Sequence, residues 1–170
     1  MDEDIYHYLD QLLNKQISSI GRASNMCWIG IGEAIKIINR RGECVERCDF
    51  SLHIQSSWRI VNREKKEILL ASSDFYSPSD INKFYQKFEW DIPGNNLFDK
   101  KSSTWLQNET PIYIREYQLN RWGDLLLILS NEDRIEIYVD ASDNTECWRL
   151  FERNQEKKHL VMTGLGVSFD

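Results

Sequence analysis

The most suggestive chemistry in the sequence lies in one stretch. Between Phe50 and Val61, His53, Gln55 and Arg59 recur at spacings of two and four, which in an extended chain projects all three from one side. An imidazole, an amide and a planar guanidinium in one row could hold a carboxylate or a phosphate, because a guanidinium offers paired donors to paired oxygens. Asp74 follows the strand expected to pair with this one, and Glu146 and Arg149 flank Cys147 and Trp148. These acids could support the row, or they could tie the arginines into a structural ion-pair network. A solvated polar face would use the same residues.

Other constellations are less complete. Cys44, Cys48 and His53 have a C-x3-C-x4-H spacing, but structural zinc takes four ligands and no fourth is evident. Cys27 and Cys147 are isolated in sequence, so all four thiols are expected as small buried hydrophobes or reduced surface thiols. Gly30-Ile31-Gly32 resembles the start of a dinucleotide fingerprint, yet Glu33, Ala34 and Ile35 follow where a third glycine and a helix should stand. The sequence has no nucleophile elbow, no H-E-x-x-H and no phosphate loop. No catalytic residue, metal ligand or cofactor is therefore expected.

The chain of 170 residues carries 27 acids against 21 bases, a net charge of −6. This balance argues against generic nucleic-acid binding and against an anionic membrane surface, both of which want a cationic footprint. It suits a basic protein partner. The start, Met1-Asp2-Glu3-Asp4, has neither a basic nor an apolar leader region, and the longest apolar run is Leu125 to Leu129. A cytoplasmic protein forming one domain over residues 1–170 is expected. The oligomeric state is left open.

The positioning elements read mostly as sheet. Ile5, Tyr8, Leu9, Leu12 and Leu13 form a helical stripe, with acids in the first turn where the helix dipole favours them. Strands are expected over 17–23, 26–31, 34–39, 68–71, 112–119, 125–129, 135–139, 148–151 and 159–163. The longest is expected at 50–61, where Phe50, Leu52, Ile54, Trp58 and Ile60 share a face opposite Ser51, His53, Gln55, Ser57 and Arg59. Ser77-Pro78-Ser79-Asp80 predicts a second helix with Ile81, Phe84, Tyr85 and Phe88 on its apolar side. Residues 89–110 show no period and read as a long loop. Gly164 and Gly166 are expected to loosen the tail. Short polar turns between strands give an α+β fold, mainly antiparallel β-sheet in a half-barrel or sandwich-like form, with two short docking helices.

Leu52-His53-Ile54-Gln55-Ser56-Ser57-Trp58-Arg59, Gly123-Asp124-Leu125 and the late Glu146-Cys147-Trp148-Arg149 resemble an uncharacterised family of small bacterial proteins. That family shares an L-H-I-Q-x-x-W-R segment, a G-D-L strand start and a late E-x-W-R. The resemblance spans roughly residues 17–149; Ser56-Ser57 stand where Cys-Pro is expected, and Ser72-Ser73 where Gly-Ser is expected. It implies a fold unit with no assigned reaction, and some such proteins look like small acidic immunity proteins that neutralise toxins. The expected function is accordingly a protein-binding, immunity-like module without catalysis, whose candidate contact residues are His53, Gln55, Trp58, Arg59, Asp74, Glu146 and Arg149. The alternatives are a small anionic-ligand binder or enzyme using the polar face of 50–61, and a scaffold or assembly subunit.

Overall fold

Branched and aromatic side chains alternating with polar ones suit a pleated, half-buried surface, and most of the chain takes that form. The computed structural model describes residues 2–39, 41–80, 82, 88–107, 110–153 and 157–170. One antiparallel sheet has six strands: β1 (Ile17–Ala23), β2 (Met26–Ile38), β3 (Cys44–Ile54), β9 (Glu146–Glu152), β10 (Leu160–Thr163) and β11 (Gly166–Phe169), neighbours in that order. The second has five, in the order β5 (Glu67–Ala71), β4 (Trp58–Asn62), β8 (Asp133–Ile137), β7 (Leu125–Leu129) and β6 (Ile114–Leu119). The expected sheet-dominated α+β class is observed.

Cross-strand register lines up the core. Ile29, Leu52, Leu150 and Leu160 are successive partners across the first sheet, and Leu70, Ile60, Ile135 and Leu127 across the second. All eight are fully buried in one hydrophobic cluster shared by the two sheets. Each such aliphatic side chain is worth roughly 1.5–3 kcal/mol of burial. At one corner the sheets almost merge: Gln16 bridges Tyr113, and Ile17 N–H donates to the Ile112 carbonyl at 2.8 Å.

The strand expected over 50–61 is two strands in two sheets. β3 stops at Ile54, Gln55 to Ser57 cross the core edge, and β4 begins at Trp58. Three inserted residues preserve parity, so Ile54, Trp58 and Ile60 all still reach the shared core. Period two therefore persists in sequence while the outward residues part company. β3 also begins earlier than expected, at Cys44, and two further stretches differ from expectation. The stretch 34–39 continues β2 to Ile38 after a register shift beyond Ile31, where Gly32 adopts φ +90° and a Cβ would stand 1.8 Å from Asp49 Oδ1. The tail after Gly164 forms the edge strand β11.

Among the described residues two α-helices flank the sheets. The first, α1 (Asp2–Asp10), buries Ile5 and Leu9 as expected, and Leu12 follows them into the core. The second, α2 (Leu97–Trp105), lies inside the stretch expected to be a loop. Asn96 caps it by accepting Asp99 N–H at 2.9 Å, and Phe98 and Trp105 are its buried residues along with Ser102. With only those aromatics and Leu97 apolar in nine residues, it has almost no stripe to read. The helix expected beyond Ser77 falls largely on residues 81 and 83–87, outside the described residues; Ser77 itself ends a 3₁₀ turn over Ser72–Tyr76, and Pro78 bridges Asn96.

Asp133 ties these parts together from a buried position. Its carboxylate accepts Trp105 Nε1–H at 2.9 Å from α2, Asn62 Nδ2–H at 2.7 Å from β4 and Asn131 Nδ2–H at 2.8 Å from the β7–β8 turn. Removing the acceptor takes this partner from the buried Trp105 Nε1–H, at about 1–3 kcal/mol, with smaller losses at the half-buried Asn62 and the exposed Asn131. Asp133→Ala is expected to destabilise the fold by about 2–4 kcal/mol in urea denaturation, and Trp105→Phe, which removes one donor, by less than Asp133→Ala. Equal or smaller loss in Asp133→Ala would show that the carboxylate does not organise this junction.

Candidate functional site

The outer face of the six-stranded sheet collects polar groups in two cross-strand rows. One runs Trp28, His53, Arg149 and Val161 over β2, β3, β9 and β10, and the next includes Gly30, Ser51 and Phe151. Register alone places His53 beside Arg149, although nearly a hundred residues separate them in sequence.

Phe151 is the hub of this face. His53 meets its ring edge-on at 4.9 Å between centroids, and His159 stacks on it at 4.4 Å. Arg149 donates to both Glu146 oxygens, from Nε at 3.1 Å and Nη2 at 2.7 Å, and to Asp170 Oδ2 at 3.2 Å. Its Nη1 lies 2.9 Å from His159 Nδ1. A guanidinium only donates, so Nδ1 accepts and the His159 proton sits on Nε2. Burial, then Arg149, pushes the His159 pKa down. His53 is pushed down to about 4, first by burial and next by Arg153. Both rings are thus neutral near pH 7, and the Arg149 fork is occupied by its own chain.

The seven residues singled out from sequence do not form one site. His53, Glu146 and Arg149 share the outer face just described. Arg59 lies on the outer face of the other sheet, paired with Glu136 and lying over the Tyr138 ring at 5.9 Å, while Tyr138 donates to the same carboxylate at 2.7 Å. Trp58 is buried against Phe75 and Phe98 at 6.0 and 5.8 Å between centroids. Asp74 is buried in the 3₁₀ turn, accepting Ala71 N–H at 3.1 Å and Lys101 Nζ at 3.4 Å. Gln55 is an exposed crossing residue whose N–H donates to the Cys147 carbonyl at 2.8 Å. The joint row of His53, Gln55 and Arg59 is therefore corrected: the crossing at 55–57 sends its members to different sheets.

The chain's four cysteines are all free, Cys27 and Cys147 buried, Cys44 exposed and Cys48 between. Among the described residues no group of three His, Cys, Asp or Glu side chains could hold a metal. Two features were not foreseen. A hollow of about 530 Å³ opens on the outer face of β1 to β3 beside His53, with Arg47 and Arg153 in its lining. At the turn tips Trp122 and Leu165 are 66% and 73% exposed, beside Tyr6 at 46%. A tryptophan inside an Asn-x-x-Gly turn was the available signal for the second; nothing in the sequence marked the first.

No family model matches the chain, and neither curated proteins nor solved structures yield a match. No helix among the described residues is long and apolar enough to cross a membrane.

The lowered His53 pKa gives a stability effect with a definite sign. An unfolded histidine takes up a proton near pH 6.5 while the folded one resists until about pH 4. Its stabilising contribution is complete above roughly pH 6.5 and is lost as pH falls towards 4. His53→Phe keeps an aromatic edge against Phe151 and removes this term. The drop in urea midpoint between about pH 7 and about pH 5 is expected to shrink in the variant, leaving the part due to His159. An unchanged drop would mean that His53 is not held neutral.

Proposed function

We propose that this protein is a non-catalytic binding module that engages a basic partner protein through the end of the fold carrying Trp122. The observation that carries this reading is the exposure of Trp122, Leu165 and Tyr6, from three separate elements, around one hollow of about 610 Å³. Trp122 comes from the β6–β7 turn, Leu165 from the β10–β11 turn and Tyr6 from α1. Single exposed apolar residues are ordinary. Three that line a common depression, with Arg121 over the Trp122 ring at 4.6 Å, have the composition of interaction hot spots, which favour Trp, Tyr and Arg.

Nothing in the fold needs Trp122 outside. The turn is held by backbone geometry: Gly123 adopts φ +91°, and its carbonyl accepts Trp148 Nε1–H at 2.9 Å. The indole at 122 therefore leaves its large apolar area in water, and covering it would supply binding free energy. The net charge of −6 favours a basic partner by long-range attraction. A small acidic module of this kind fits the toxin-neutralising role that the sequence resemblance implies, with occlusion of the partner rather than chemistry as its action.

The test uses the partner that co-purifies with the tagged chain, identified and then reconstituted as a purified pair. Trp122→Ala and Leu165→Glu are each expected to weaken the complex about 30-fold or more, the loss typical of a hot spot, with little change in melting temperature. Ile68→Ala, exposed on β5, should leave affinity unchanged. Full affinity in both turn variants would overturn the reading. So would a concentration-dependent homodimer abolished by Trp122→Ala, which would make the surface an assembly interface.

A further inference from the structure

The arginines of this chain differ in what answers their charge. Arg22 is held by Asp99 and Asp91, Arg59 by Glu136, and Arg149 by Glu146 and Asp170. Arg153 has no carboxylate among the described residues. Its backbone N–H donates to the Asp49 carbonyl at 2.6 Å, and its guanidinium lies over the Phe151 ring at 5.1 Å, which lays the side chain across the sheet. Its Nε is fully buried without a hydrogen-bond partner. Burial and then the neighbouring Arg47 both work against its charge. Among the described residues Arg47 itself donates only to the Glu46 carbonyl, at 2.8 Å. Glu46 also lines the hollow, yet it pairs with neither arginine. A half-buried cation with a buried orphan donor beside a second cation is costly unless something anionic comes to it.

Close packing at two glycines shapes the wall of the space beside these groups. A Cβ on Gly21 would stand 2.3 Å from the Trp28 ring, and one on Gly30 would stand 2.2 Å from Ser19 Oγ and 2.6 Å from Cys48 Sγ. Two glycines on adjacent strands thus let the Trp28 indole pack directly on β1 and the Ser19 and Cys48 side chains close over β2, and Trp28, Gly30, Ser19 and Cys48 all line the hollow. The hollow of about 530 Å³ falls in the range of small-molecule sites. Ser51 and the neutral His53 supply uncharged hydrogen-bonding groups within it.

We propose that this hollow binds a small organic oxyanion, a carboxylate or phosphate ester on a flat apolar body, with its charged head at Arg153 and Arg47 and its body against Trp28. The planar guanidinium of Arg153 offers its remaining N–H groups to paired oxygens. The hollow shares no lining residue with the one at Trp122, so either assignment can fail alone.

The experiment titrates the full chain separately with phenyl phosphate and benzoate, following backbone amide shifts, with phenol and benzamide as uncharged controls. At least one anion is expected to bind saturably, to shift Ser51, His53 and Arg153, and to weaken with added salt; which anion does so identifies the head group. In a Cys44→Ser background Cys48 is the one thiol that is not buried, and the bound anion is expected to slow its alkylation by iodoacetamide several-fold. Arg153→Met and Arg47→Met are each expected to weaken binding about tenfold or more, the loss of a charge-assisted contact. Arg63→Met, in the β4–β5 turn, should bind as the parent does. Should Arg153→Met fail to fold, the exposed Arg47 decides the comparison. No saturable binding of either anion, or parental affinity in the arginine variants, would overturn the proposal.

Discussion

The architecture depends on the three-residue crossing at Gln55, Ser56 and Ser57, where the chain leaves one sheet and enters the other. Backbone polar groups at such a crossing have left both ladders and must find partners elsewhere. Here the Cys147 carbonyl accepts two N–H groups, from Gln55 at 2.8 Å and Ser56 at 3.1 Å. Asp140 accepts the Ser57 N–H at 2.9 Å, and the Ser57 carbonyl accepts Tyr138 N–H at 2.9 Å. Residues close to β8 and at the start of β9 thus satisfy the link between β3 and β4. The cost is local: Ser56 Oγ and Trp58 Nε1 are buried there without partners.

That crossing also decides which side chains can cooperate. Residues facing inward before and after it join one core, whereas residues facing outward diverge to the outer faces of two sheets. His53 consequently belongs with Arg149 and Phe151, and Arg59 with Glu136 and Tyr138. The buried polar groups that remain inside do structural work. Asp133 joins β4, α2 and a turn, and Asn96, fully buried, both caps α2 and donates to the Trp90 carbonyl at 2.9 Å.

Most strands were legible because their inward residues must alternate whatever their neighbours are. Ile17–Ala23 and Leu125–Leu129 stand at the bounds read from pattern and composition. Alternation cannot register a change of sheet when the inserted segment preserves parity, which is why Ile54 and Trp58 looked like one strand. It also says little about α2, whose Asp-Lys-Lys-Ser-Ser-Thr interior is polar; the Asn96 cap, with Asp99 three residues on, was the local signal. Of the candidate site, an acid able to pair an arginine was legible at Glu146, but its meeting with Arg149 three residues on depends on the register shift in β9, and the approach of His53 to Arg149 required the pairing of β3 with β9. Arg153 carried no signal because its meaning lies in what it lacks.

Unsatisfied interactions separate supporting groups from available ones. Arg22 and Arg149 are each closed by two carboxylates, so an incoming anion would have to displace a partner already in place. An exposed pair such as Arg59 with Glu136 contributes little to stability, but it still neutralises the charge that a ligand would need. At Arg153 and at Trp122 the fold leaves an interaction unmet, a half-buried charge in one place and a large apolar surface in the other. Marginal stability makes such positions costly to keep. The free energy unmet at each among the described residues is of the kind that the proposed oxyanion would supply at the first and the proposed partner's apolar surface at the second.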